Sequence, residues 1–203
     1  MISLSEIDTT SKRATKAIGF SWGIAEEVGK NMRLLEQFGL SGVKNLNEYF
    51  EDYKKKRYKK ENLISEKNEN QKIPYCPIIF GTNFIDQITF LEKINQIEIN
   101  NLGFPILFLP FVSRASEIIG KKIYLQIDDR QFLLNLNQSI YSNYLKSEII
   151  ENFKISKINF IQNKNTFNEI EWKQLYQLSE NTFVEERDSL KVEGAGAGLT
   201  DND

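Results

Sequence analysis

Lys122-Ile123-Tyr124-Leu125-Gln126-Ile127-Asp128 alternates apolar with polar side chains, and Asp128-Asp129-Arg130 then leads into a second short run, Gln131 to Leu136. A period of two puts one set of side chains on one face of a strand, and polar residues between two such runs mark a turn. The stretch therefore predicts a β-hairpin. Hairpin strands are antiparallel, so this reading also sets the type of sheet expected around it.

Other segments extend that sheet. Ile155 to Ile161 alternates in the same way, and Ile97-Glu98-Ile99 suggests a further strand. Phe104-Pro105-Ile106-Leu107-Phe108-Leu109-Pro110-Phe111 is an apolar run too short to span a bilayer and bracketed by prolines, so it is expected as a buried strand or core segment. Pro77-Ile78-Ile79-Phe80 leads to Gly81-Thr82, after which Asn83 to Lys93 predicts a helix with Phe84, Ile85, Ile88 and Leu91 inward. Beyond the sheet, Asn165 or Thr166 can cap a helix running through Ile170, Trp172, Leu175, Tyr176 and Leu178 toward Phe183.

Before the sheet the pattern is helical. Ser3-Leu4-Ser5-Glu6 has the S-x-x-E form of a capping box, followed by a stripe of Leu4, Ile7, Ala14, Ala17 and Ile18 that Gly19 stops. Ser21 can cap a second helix with Trp22, Ala25, Val28, Met32 and Leu35 inward, ending near Phe38 and Gly39. Glu26 and Lys30, one turn apart in the favourable order, are expected to pair on its exposed face. The short link Gly19-Phe20-Ser21 predicts an antiparallel helical hairpin, and Leu46, Tyr49, Phe50 and Tyr53 suggest a third helix.

The expected class is α+β: an N-terminal helical hairpin, a central mostly antiparallel sheet, a C-terminal helix and a glycine-rich tail. A chain of 203 residues suits a single domain, 1–203, organised as a helical segment over residues 1–53, a polar basic loop over 54–72, an α+β body over 73–193 and a tail over 194–203. It shows neither an internal repeat nor a clear linker.

Composition removes many chemistries. With no histidine and one cysteine, Cys76, Ser-His-Asp and Cys-His catalysis, His-ligated zinc and intrachain disulfides are unavailable, and no metal site is expected. Cys76, with no histidine to activate it, is expected to be buried and inert. A net charge of −2 supplies no global field for nucleic acid or an anionic membrane. The N-terminus has neither a basic region nor an apolar run of the secretory kind, so a soluble cytoplasmic protein is expected, with no membrane partner. One strong charge cluster, Lys54-Lys55-Lys56-Arg57-Tyr58-Lys59-Lys60, interleaves cations with Tyr53 and Tyr58 in a way that could meet phosphates and bases. Glu48, Glu51, Asp52 and Glu61 flank it, however, and a solvated helix end explains it more simply, so nucleic acid is not the expected partner.

Chemistry must then run on Asp, Glu, Lys, Arg, Tyr, Ser, Thr or a partner's residues. Glu26 and Glu27 sit about 100° apart on a helix, so they cannot serve one site equally. With Glu26 paired to Lys30, Glu27 is the carboxylate left for a site near Trp22. Arg114 follows an apolar run, where a cation needs a carboxylate or an anionic ligand; Glu27, Asp86, Glu186 and the tail are its candidate partners. The tail, Gly194-Ala195-Gly196-Ala197-Gly198-Leu199-Thr200-Asp201-Asn202-Asp203, resembles a phosphate loop only superficially, because no helix follows it. Its Asp201 and Asp203 remain available to a site or to a docking surface.

Ala17-Ile18-Gly19-Phe20-Ser21-Trp22-Gly23-Ile24-Ala25-Glu26-Glu27-Val28-Gly29-Lys30, preceded by Ser11-Lys12-Arg13-Ala14, resembles the opening of an uncharacterised family of bacterial proteins of about this length. The closing ten residues resemble the same family's end. Ile18 and Val28 stand where that family's pattern has smaller residues. Because the family is a domain of unknown function, the resemblance implies no activity, cofactor or catalytic residue.

Two functions are expected from the residues. The first is binding or conversion of a small anionic metabolite where the second helix, Arg114 and the tail converge, with Glu27 as acid/base, and Trp22, Lys30, Arg114, Asp201 and Asp203 binding the ligand. The alternative is a non-catalytic assembly subunit that docks through its helices and tail onto a protein partner or a second copy. Whether the protein is an enzyme, and which cofactor it would use, the sequence leaves open.

Overall fold

The computed structural model describes residues 2–69, 72–134, 140–143, 152–161 and 167–180. The chain forms two compact units, Met1–Asn163 and Lys164–Asp203. The class is α+β: helices gather at the N-terminus and a mostly antiparallel sheet follows.

Helix α1, Leu4–Ala17, opens on the expected capping box: the Ser3 hydroxyl accepts from Glu6 N, and the Glu6 carboxylate accepts from Ser3 N at 2.9 Å. That carboxylate is held below its usual pKa by the same Ser3 backbone and hydroxyl donors. Helix α2, Trp22–Gln37, starts on the Ser21 hydroxyl and buries Ala25, Val28, Gly29, Asn31, Met32 and Leu35. Trp22 is not on the inward stripe; it is 55% exposed. Between the helices Gly19 adopts φ 109°, a conformation that would strain most other residues. The pair is antiparallel: Lys16 and Lys12 reach Trp22, Lys12 reaches Glu26, and Asp8 lies against Gly29.

Helix α3, Gly42–Lys55, buries Leu46, Tyr49 and Phe50. Next comes a stretch expected as a polar loop, in which Lys67–Asn68 forms the short strand β1. Helix α4, Pro77–Asp86, begins earlier than expected, since Cys76 caps it through Sγ and Pro77 occupies its first turn, where the missing N–H costs nothing. It breaks at Gln87, leaving α5 as the single turn Ile88–Leu91.

The proline-bracketed run is buried but is not a strand. Pro105–Phe108 forms a 3-10 turn and Leu109–Ile119 forms α6, each with a proline in its first turn, and Gly120 ends α6 in the left-handed conformation. Proline suits a helix start as readily as a strand edge, and an unbroken apolar run carries no period to separate the two.

The sheet contains β2 Ile97–Gly103, β3 Lys122–Ile127, β4 Arg130–Leu134, β5 Ile140–Ser142 and β6 Asn152–Ile161, in the order β1-β2-β6-β3-β4-β5. Among the strand pairs of the described residues, β1 and β2 run parallel and the others antiparallel. The hairpin read from the sequence is present, with Asp128 at φ 51° in its turn and Leu125 opposite Phe132. Ile97, Ile158, Leu125 and Phe132 form a buried row across four strands. The 3-10 turn and α6 pack against this sheet, and Phe108 of the turn meets Phe80 and Phe84 of α4 edge-on at 5.7 and 5.3 Å. Such pairs add about 0.5–1.5 kcal/mol each to their area burial.

In the second unit, α7 spans Glu169–Glu180. Asn168 supplies the cap expected from Asn165 or Thr166, accepting from Ile170 N at 2.9 Å and Glu171 N at 3.0 Å. Phe167 stacks on Trp172 at 5.5 Å.

Candidate functional site

Helices α2 and α6 meet at an ion pair. Arg114 Nη1 donates to Glu27 Oε2 at 2.5 Å, and Lys30 Nζ donates to Glu27 Oε1 at 2.9 Å. Both carboxylate oxygens therefore hold a cation. Glu27 was one of the partners anticipated for Arg114. The anticipated Glu26–Lys30 pair does not form, because Lys12 of α1 takes Glu26 at 2.7 Å and Lys30 turns to Glu27. The Lys12 ammonium keeps the Glu26 carboxyl below its usual pKa.

Lys30 and Arg114 also line a cleft of about 240 Å³, walled by Lys30, Asn31, Arg33, Leu34 and Gln37 of α2 and by Pro110 and Arg114 of α6. Three of those side chains are cationic. Asn31 is 6% exposed, and its amide nitrogen is buried with no hydrogen-bond partner among the described residues. Such a donor costs about 1–3 kcal/mol if nothing accepts from it. Neither Asn31 nor Arg33 was expected at the site from the sequence. A signal for Asn31 was present: Val28, Asn31, Met32 and Leu35 occupy successive positions of the apolar stripe, and only Asn31 is polar.

A second cleft of about 220 Å³, which shares Arg114 with the first, is lined by Glu27, Thr82, Ile85, Asp86, Phe111 and Arg114. Its shape depends on a close approach at Gly81, where an added Cβ would overlap the Phe111 ring. Residues from α2, α4 and α6 thus converge on Arg114.

Trp22 is not part of this convergence. Five residues before Glu27 it points about 140° away around the helix, and it packs under Lys12 and Lys16, whose ammonium groups lie 6.0 and 5.5 Å from its ring centroid. Asp201, Asp203, Glu186 and the whole glycine tail lie outside the described residues. Among the described residues no group of three or more His, Cys, Asp or Glu side chains could hold a metal ion.

The basic cluster is largely satisfied locally. Lys54 pairs with Glu51, Lys56 with Asp52 and Lys59 with Glu61. Tyr58 is 9% exposed, stacks on Tyr53 at 5.8 Å and donates its hydroxyl to Asp52 at 2.6 Å. Burial raises the Asp52 pKa, but the Lys56 and Tyr58 donors outweigh it, and the carboxyl sits below its usual range. Cys76 is fully buried, 3.1 Å from the Tyr49 hydroxyl, and burial pushes its thiol pKa up.

Helices α1 to α3 and the cation-bearing face of α2 fall within one family signature. Residues 2–75 match the family described as a protein of unknown function, DUF3726. The match includes Glu27, Lys30, Asn31 and Arg33 and ends before Asp86 and Arg114. No curated protein and no solved structure matches the chain. No helix among the described residues is long and apolar enough to cross a membrane.

Proposed function

We propose that this protein binds a small anionic metabolite in the cleft between α2 and α6. The observation that carries the reading is the Asn31 amide nitrogen, a buried donor without a partner among the described residues in a cleft walled by three cations. An acceptor oxygen on an anion would satisfy it. Lys30 and Arg114 share one carboxylate, Glu27, and Arg33 has no ion-pair partner among the described residues, so the cleft carries excess positive charge. Arginine presents a planar fork of donors suited to carboxylate or phosphate oxygens.

In this reading Glu27 acts as a counter-ion. With both oxygens engaged, it holds Lys30 and Arg114 at the cleft's edge and offsets the repulsion between their charges. The tail and Trp22 have no part in the proposal.

Titration with inorganic phosphate and with butyrate, followed by the Asn31 side-chain amide signal and by calorimetry, tests it. Saturable binding that weakens with salt is expected, with a loss of about ten-fold or more in Arg33→Met and in Arg114→Met, since a charge-assisted hydrogen bond contributes about 1.5–3 kcal/mol. An Asn31 signal unmoved by either anion, or wild-type affinity in both variants, overturns the reading.

A further inference from the structure

The two clefts that share Arg114 have opposite hydrogen-bonding character, and that asymmetry defines a ligand. The α2–α6 cleft offers donors, the Lys30 ammonium and the two guanidinium groups, and is also lined by Asn31, whose buried amide nitrogen has no partner among the described residues. The neighbouring cleft offers acceptors. The Asp86 carboxylate has no ion pair or hydrogen bond among the described residues. The Thr82 hydroxyl spends its proton on Ile78 O at 2.9 Å, so toward any further partner it can only accept. Arg114 lines both clefts and its partner Glu27 lines the second, where Ile85 and Phe111 give an apolar wall.

We propose that the ligand is an amino carboxylate, its carboxylate held by Asn31, Arg33 and Arg114 and its ammonium group by Asp86 and Thr82, with the carbon chain passing along Ile85 and Phe111. This rests on the anion reading above and deepens it: the first cleft selects negative charge and the second selects a cationic donor. An ammonium carries three donors and no acceptor, which is the complement of a carboxylate and a hydroxyl oxygen whose proton is already committed. A simple anion would leave Asp86 facing solvent and would gain nothing from the second cleft. A ligand with both ends also orients itself, because reversing it places like charges together at both ends.

The test compares the straight-chain ω-amino acids from glycine to 6-aminohexanoate with the matching acids that lack the amine, on the full chain, by calorimetry. One chain length in the series should bind at least about ten-fold tighter than its amine-free counterpart, a ratio that one charge-assisted contact supplies. Asp86→Asn, a change at an exposed position, should reduce that ratio to within about two-fold while leaving the affinity for the amine-free acid unchanged. Arg33→Met should weaken both members of the pair equally. If phosphate and the simple acids bind but the amine adds nothing at any length, or if the ratio survives in Asp86→Asn, the amino-carboxylate assignment is wrong and the anion site stands. If neither the acids nor phosphate bind, both fall together.

Discussion

Gly29 and Gly23 lie on the same helix, and the same substitution at each should shift stability in opposite directions. A Cβ at Gly29 would stand 2.5 Å from an Asp8 carboxylate oxygen, 2.7 Å from the Asp8 carbonyl oxygen and 3.2 Å from Lys12 Cβ. The carboxylate can swing away; the carbonyl belongs to α1 and cannot. Restoring an ordinary 3.4 Å contact to it requires α1 to retreat by roughly 0.7 Å along its interface with α2. Overpacking of this kind costs about 1–3 kcal/mol, whereas Gly to Ala inside a helix gains up to about 1 kcal/mol. The steric term wins, and Gly29→Ala should lose about 1–2 kcal/mol. At Gly23 nothing lies within 4 Å of the added atom, so only the helix gain remains. Urea unfolding followed by circular dichroism reads the difference: with a slope of about 2 kcal/mol/M, the Gly29→Ala midpoint falls by roughly 0.5–1 M while that of Gly23→Ala rises by a few tenths. If Gly29→Ala is as stable as Gly23→Ala, α1 does not sit on α2 at this approach and the antiparallel hairpin geometry is wrong.

Further consequences follow from other buried groups. Cys76 should resist alkylation at pH 8 in the folded protein and react when urea unfolds it, because burial holds the thiol pKa above its usual value. Burial raises the Tyr49 hydroxyl pKa as well. For both groups the unfolded chain releases its proton first, so stability is retained below about pH 9 and declines as pH rises past the unfolded thiol and then the unfolded tyrosine values; an alkaline unfolding series in Cys76→Ala should show the first of these declines removed. Asp52 has the opposite sign: its lowered pKa contributes stability above the unfolded value near 4 that is lost on acidification, and Tyr58→Phe should make that acid limb shallower. Replacing Trp22 with Ala should leave anion binding unchanged in the same calorimetric titration, since its ring is engaged by Lys12 and Lys16 and lies away from Arg114.

The elements that were legible in the sequence are those whose cause is local. Ser3 and Glu6, Ser21, Gly19 and Gly39 mark helix ends through contacts made within one turn, and the hairpin at Asp128-Asp129-Arg130 joins two strands that alternate on their own account. The run Phe104 to Phe111 was illegible for the complementary reason. Every residue in it is apolar, so period cannot distinguish strand from helix, and the prolines that looked like strand brackets became helix starts once Leu109 to Ile119 found a buried seat. The Glu26–Lys30 expectation failed because a within-helix pair of a few tenths of a kcal/mol is easily redirected when other helices bring Lys12 and Arg114 within reach.

For the site, the sequence by itself determined the available chemistry and the approximate face. The absence of histidine removed imidazole chemistry and left carboxylates, lysines, arginines and hydroxyls, and Glu27, Lys30 and Arg114 were identifiable as charged groups beside apolar segments. Tertiary structure alone decided which of them meet. Arg114 is 87 positions from Glu27 along the chain, and no periodicity reports a contact at that distance; packing of α2 and α4 against α6 brings them together. The same packing buries the Asn31 amide and brings Asp86 into a cleft with Glu27 and Arg114. Residue type and helical phase are local properties of a sequence, whereas the neighbours across an interface are set by how the core closes.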